Sequence, residues 1–225
     1  MARLVTLSSL EAQVRQRSDT ESLTQRFTSA EVTEYINESY AELYNYLLQS
    51  GQEFYLSSYS FNTSAGVTDY ALPSDFFLDK GADTTINGQL FTLDRWFFEE
   101  REKYDILVTW SPGMPLAYSI LGSNISIRPT PGGVFTIKLW YYPTPTRLVN
   151  GSDAIDCMSG FEEYIVADAA IKILTKDDRD SSEQLRQKMA AKSVIDMMIS
   201  NRSRSNPNRV RRIWKKRRTY LKAIA

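Results

Sequence analysis

Val134-Phe-Thr-Ile-Lys-Leu-Trp-Tyr-Tyr142 alternates by type: Phe135, Ile137, Leu139 and Tyr141 fall on one face, Thr136, Lys138 and Trp140 on the other. A period of two belongs to a strand, and an apolar face of aromatic and branched residues predicts packing against a second layer. The sequence upstream repeats the pattern in shorter pieces. Phe54 to Phe61 and Val67 to Leu72 flank a turn at Asn62 to Gly66; Thr84 to Ile86 and Gln89 to Leu93 flank Asn87-Gly88, the favoured type I′ hairpin pair; Tyr118 to Leu121 and Asn124 to Arg128 flank Gly122-Ser123. Every proline but Pro207 lies in this region or at its exit, and Pro129, Pro131, Pro143 and Pro145 are placed to stop strands. Arg95 to Tyr104 reads as a short helix between hairpins. Residues 54–150 thus predict an antiparallel sandwich or barrel-like domain.

On both sides the period lengthens to that of a helix. Ser8 and Glu11 have capping-box spacing for a helix through about Arg17, with Leu10 and Val14 inward. Thr28 is a candidate N-cap with Glu31 three residues on, and Phe27 and Val32 are spaced as a hydrophobic staple. Val32, Ile36, Tyr40, Leu43 and Leu47 then form one stripe, with Gly51 placed as a C-cap. After the strands, Phe161 to Leu174 is apolar on most sides, as a helix buried between surfaces is. Asp180 and Glu183 open a further helix through about Ile199, with Leu185, Met189, Ile195 and Ile199 expected inward. The expected fold class is α+β. A discontinuous helical bundle domain (residues 1–53 and 151–200) carries the inserted antiparallel β domain (54–150), and a basic C-terminal arm (201–225) follows.

Composition removes several chemistries. The 225 residues include no histidine and one cysteine, Cys157. That excludes His-dependent triads, cysteine- or histidine-based zinc sites and internal disulfides. Cys157 reads as a small core residue. Glu99-Glu100 and Asp177-Asp178 are adjacent acids, and adjacent side chains diverge rather than converge on a substrate. Pro131-Gly132-Gly133 precedes a strand, whereas a phosphate loop precedes a helix. No catalytic residue, metal site or cofactor is expected. Neither a signal peptide nor a run approaching ~20 apolar residues is visible, so no membrane partner is expected.

The net charge of zero conceals an asymmetry. Residues 201–225 contain ten basic and no acidic residues, which leaves 17 basic against 27 acidic residues in 1–200. Ser200 to Asn208 reads as a flexible linker. Beyond it Val210, Ile213, Trp214, Tyr220, Leu221 and Ile224 recur at roughly helical spacing among arginines and lysines. Such a segment can lie on anionic lipid, neutralise nucleic-acid phosphates, dock in an acidic apolar-lined groove of a protein, or solubilise the chain. Its aromatic residues have no use in a purely solubilising tail.

Five phrases, in this order and spacing across residues 5–200, resemble the head-to-tail adaptor (connector or gatekeeper) proteins of tailed bacteriophages. They are Phe27 to Tyr44 in the first long helix; Tyr70-Ala-Leu-Pro-Ser-Asp-Phe76; Gly113-Met-Pro-Leu-Ala-Tyr118; Ile127 to Gly133 running into Leu139-Trp-Tyr-Tyr-Pro143; and Gly160-Phe-Glu-Glu-Tyr-Ile165. The resemblance implies a structural virion protein of the head-to-tail neck, present in host cytoplasm before assembly. It implies a homo-oligomeric ring, usually of twelve, that attaches to the portal protein. The ring would extend the channel through which packaged DNA passes and offer a surface to the next tail or nozzle protein. On that reading Tyr40, Tyr44, Phe161, Tyr164 and Ile165 are expected at the ring interface. The expected portal contacts are Arg202, Arg204, Arg209, Arg211, Arg212, Trp214, Lys215, Lys216, Arg217, Arg218, Tyr220 and Leu221. The acidic body would repel DNA and let it slide. The alternative is a DNA- or RNA-binding accessory protein that grips phosphates with its arm. A carboxylate glycosidase is a third reading, for which no acid pair is singled out by spacing.

Overall fold

The first strand and the first helix of the chain share one residue's hydrogen bond. Strand β1 (Arg3–Thr6) ends at Thr6, whose extended backbone and hydroxyl, accepting from Ser9 N at 3.3 Å, cap α1 (Leu7–Ser18). The cap is therefore Thr6 and not Ser8, because an N-cap needs the extended conformation that a strand end supplies. The structure, a computed structural model, describes residues 3–50, 53–86, 88–106, 113–157 and 160–203. Thr28 caps α2 (Ser29–Gln49) as expected, accepting from Glu31 N at 3.3 Å, and the whole Val32–Leu47 stripe is buried with Phe27. Gly51 lies outside the described residues.

Among the described residues the middle of the chain continues with β2 (Ser57–Asn62), β3 (Asp69–Ala71), β4 (Phe76–Ile86), β5 (Gln89–Thr92), β6 (Asp94–Arg95), then, after a short 3-10 turn and α3 (Arg101–Ile106), β7 (Ala117–Leu121) and β8 (Asn124–Arg128). Then come β9 (Thr136–Pro143), β10 (Ala154–Cys157), α4 (Glu162–Lys176) and α5 (Ser182–Ser203). The chain is α+β and forms two compact units. One comprises the residues up to Phe54 together with those from Pro145 on; the other is Tyr55–Thr144.

In the helical unit α4 is the axis, with α1, α2 and α5 all packed on it. Ile165, Val166, Ala169, Ala170 and Ile173 are fully covered. This accounts for the apolar circumference of α4 within one subunit, without help from a neighbour. Sequence periodicity does not reveal the pairing of β1 with β10, an antiparallel ladder from Arg3↔Cys157 to Thr6↔Ala154 that ties the two chain segments of the unit. Both strands are four residues long, too short to show a period. The side chain of Cys157 is not among those described.

Two inward assignments on α5 are corrected: Leu185 and Met189 are exposed, while Ala191 and Ile195 are buried. Apolar residues lie round most of this helix, so the pattern alone could not choose its buried face. The helix also runs to Ser203, where a linker from Ser200 is expected; Ser200 Oγ instead caps Met197 O at 3.0 Å.

The β unit is a sandwich of two four-stranded sheets, ordered β2-β9-β4-β5 and β3-β8-β7-β6, and neither closes into a barrel. Ala82, Ile137, Leu139 and Tyr141 from the first sheet meet Tyr118, Ile125 and Ile127 from the second in one core. All pairings are antiparallel except β6 with β7, Asp94↔Ala117 and Arg95↔Tyr118. Strand β4 starts eight residues before the expected Thr84 because register shifts at Phe76/Leu78 and Asp79/Gly81 break its alternation. The Gly122-Ser123 hairpin is present, with Leu121 opposite Asn124. Asn87 lies outside the described residues.

Candidate assembly surfaces

A carboxylate in an apolar helix is costly unless it is paired, and α4 carries one in Val166-Ala-Asp-Ala-Ala170. Asp168 is buried. Its Oδ2 accepts from Ser39 Oγ of α2 at 2.6 Å and meets Lys172 Nζ at 3.3 Å, and its Oδ1 accepts from Lys188 Nζ of α5 at 2.7 Å. Lys188 continues to Glu42 at 3.0 Å, which also accepts from Tyr164 Oη at 2.8 Å. Burial alone would raise the Asp168 pKa, but the Lys188 and Ser39 hydrogen bonds and the Lys172 charge hold it below its ordinary value. Burial, and then the bond to Glu42, push the Tyr164 hydroxyl up to about 12. The network ties three helices to one another through paired charges and hydrogen bonds.

The returning chain is pinned to the same unit. Asn37 donates to Leu148 O and accepts from Leu148 N, both at 2.9 Å. The Asp153 carboxylate accepts from Asn150 N and Val149 N, which lowers its pKa. Beside this turn lies an open cleft of about 470 Å³ lined by Leu7, Glu11, Ala30, Glu34, Arg147 and Val149. Each of its acids already faces a cation, Glu11 with Arg15 at 3.1 Å and Glu34 with Arg147. Asp177 likewise pairs with Arg26 at 2.5 Å, at the end of α4. Among the described residues no group of three or more histidines, cysteines or acids is placed to hold a metal ion.

The five residues expected at the ring interface are covered within the subunit. Tyr40, Tyr44, Phe161, Tyr164 and Ile165 are buried within the helical unit itself, and the least covered, Tyr40, retains 7% exposure. Aromatic residues on α2 and α4 are needed to fill the space round the central helix. The unit presents a different apolar surface outward, on α5: Leu185, Met189 (61% exposed), Val194 and Met197 (61%). Arg202 falls in the last turn of α5 with its side chain undescribed, and the remaining expected portal-binding residues, Arg204 to Leu221, lie outside the described residues.

In the β unit the phrase from Tyr70 to Phe76 acts as a clasp. Tyr70 Oη donates to Val67 O at 2.8 Å and accepts from Ser64 N at 2.9 Å, which shapes the β2–β3 turn. Asp75 accepts from Tyr141 Oη at 3.0 and 3.1 Å, and Phe76 stacks on the same Tyr141 ring at 5.9 Å. Burial, then the Asp75 bond, raise the Tyr141 pKa. Asp79 of β4 accepts from Tyr118 Oη of β7 at 2.9 Å and pairs with Arg95 of β6, which binds one sheet to the other.

The family model described as SU10 adaptor protein matches residues 5–211, which takes in both units and all the described helices. The chain belongs to the SU10 adaptor protein family. It is thus a structural adaptor of bacteriophage, as the five phrases implied. No curated protein matches the chain. Among the described residues of this adaptor no helix is long and apolar enough to cross a membrane. Asp168 and the exposed face of α5 are the features that sequence reading passed over. A lone acid flanked by alanines and branched residues was the available signal for the first, whereas nothing in the pattern of α5 marks its outer face.

Proposed function

We propose that the protein assembles as a ring on the portal, extends the DNA channel and provides the attachment surface for the next tail or nozzle protein. The observation that carries this reading is the SU10 adaptor match across both units. Three features support it. The helical unit is held rigid by the Asp168 network, as a subunit that must repeat round a ring requires. Its helix α5 exposes Leu185, Met189, Val194 and Met197, apolar side chains available for a neighbouring subunit to cover. The same helix leads directly into the basic segment, ten positive charges with Trp214, Tyr220 and Leu221 among them. In a heterologous ring each subunit shows two different faces to its neighbours, and the exposed residues of α5 form part of one.

The segment from Arg204 to Leu221, with Arg202, is the portal-binding arm. Its guanidinium and ammonium groups meet acids or carbonyls there, and its aromatic residues fill apolar pockets. The turns of the β unit, at Asn62 to Gly66 and Gly122-Ser123, supply the tail-side contacts, as loops on a rigid scaffold commonly do. A chain ending at Ser203 tests the arm: it is expected to keep its fold and lose cosedimentation with portal. Truncated chain that joined portals as well as the full chain, while the full chain bound duplex DNA with steep salt dependence, would assign the arm to nucleic acid instead.

A further inference from the structure

Among the described residues the larger sheet of the β unit ends in two edges that no strand pairs with, β2 and β5. Strand β2 reads Ser-Ser-Tyr-Ser-Phe-Asn and β5 reads Gln-Leu-Phe-Thr, with no charge and no proline on either. Edges that stay single in solution are blunted by charges, prolines, bulges or short length. The second sheet of the same unit is blunted in this way: its edges are β3, Asp-Tyr-Ala, and β6, Asp-Arg.

The side chains at the two open margins match. On the core face the sheet carries Tyr59 and Phe61 at one margin, opposite Leu139 and Ile137, and Phe91 at the other, opposite Thr84. Tyr59 and Phe91 are each more than a third exposed, at 36% and 42%, so the core face runs past its cover at both ends. On the outer face β5 shows Leu90, 67% exposed, while β2 shows Ser58 and Ser60.

The backbone matches as well. Leu93 N donates to Ala82 O at 2.8 Å, so the alternation of an antiparallel ladder leaves Leu90 and Thr92 with their peptide groups turned away from β4. Thr63 N donates to Phe135 O at 2.9 Å, which by the same alternation turns Ser58 and Ser60 away from β9. A four-stranded antiparallel sheet has edges that run in opposite directions. Strand β5 of one copy can therefore continue the antiparallel order with β2 of the next. One register keeps all four residues of β5 opposite β2 and preserves the pleat. It sets Gln89 against Phe61, Leu90 against Ser60, Phe91 against Tyr59 and Thr92 against Ser58.

We propose that adjacent copies in the ring join head to tail by this pairing, β5 of one subunit adding to β2 of the next. The pairing covers Phe91 with Tyr59 on the core face and seats Leu90 over a serine. It is heterologous, with two different edges in contact, so it propagates to a ring rather than stopping at a dimer. The proposal rests on the ring reading above and adds to it the contact that joins the copies.

Cysteines at Leu90 and Ser60 test it. Residues directly opposite across a hydrogen-bonded antiparallel pair have Cα atoms about 5.5 Å apart, within disulfide reach. The full chain carrying L90C, S60C and C157S is assembled on portals, oxidised and run without reductant, with each of L90C and S60C alone in the C157S chain as controls. The expected result is a ladder of covalent multimers from the double variant and monomer from both controls. Portal-bound rings that yield no ladder overturn this contact and leave the ring reading standing. A dimer from L90C alone overturns it in favour of a two-fold β5–β5 contact. Absence of any ring on portals overturns the ring reading, and this contact falls with it.

Discussion

Asp168 is a buried carboxylate that ties α2, α4 and α5 together, through Ser39, Lys172 and Lys188. Replacing it with asparagine leaves Lys188 partly covered without its nearest counter-charge. The Asp168→Asn chain is expected to lose about 3 kcal/mol at pH 7, as when one partner of a buried pair is removed. The sign of its pH dependence follows from the lowered pKa of Asp168. The contribution is complete above the unfolded carboxylate value of about 3.9 and is lost as pH falls through the folded value. The stability gap between the two chains in urea should therefore be full at neutral pH and narrow below about pH 4. A gap independent of pH would mean that packing, not charge, holds the helices. Gly113 carries a second single-residue constraint. With φ at +70°, a Cβ there would lie 2.3 Å from Gly132 N and 2.4 Å from its Cα. Gly113→Ala is expected to cost the β unit about 2 kcal/mol or more, read as a lowered melting temperature. An unchanged melting temperature would show that this close approach is not maintained in solution.

Elements differ in how openly the sequence declares them. The stripe of α2 and the alternation of β9 are regular over many residues, and both are legible to within two residues. Strand β4 is not, because two register shifts move its side chains from one face to the other, and Asp79-Lys80-Gly81 resembles a turn. On α5 the extent is nearly legible but the buried face is not, since which apolar residues go inward is decided by where Ala191 and Ile195 meet the rest of the unit. For Tyr40, Tyr44, Phe161, Tyr164 and Ile165 the cover comes from within the unit: a sequence shows that an aromatic residue needs cover, not which surface supplies it. Two predictions belong at this scale. Thr28→Ala removes the bond to Glu31 N and should destabilise the helical unit by about 1 kcal/mol in denaturant titration. Met189→Glu with Met197→Glu places charge on exposed positions of α5 and should shift monomer stability by no more than about 0.5 kcal/mol per site. Ring formation on portals should be lost with it; rings that form normally would remove the outer face of α5 from the interface.

At the scale of the molecule, the helical unit is assembled from both ends of the chain, and the β unit is carried between them. The change of period along the sequence, from helical to strand and back, falls near the unit boundaries at Tyr55 and Thr144. The charge asymmetry belongs to this scale too. Residues 1–200 carry 17 basic against 27 acidic residues, and residues 201–225 carry ten basic and no acidic ones. Electron microscopy of portal particles incubated with the full chain tests this account most directly. The account predicts a continuous collar of adaptor subunits on one end of the portal, coaxial with its channel. Portals that stay bare at saturating concentrations of folded protein, or chains scattered over DNA with none on the portal, would contradict it.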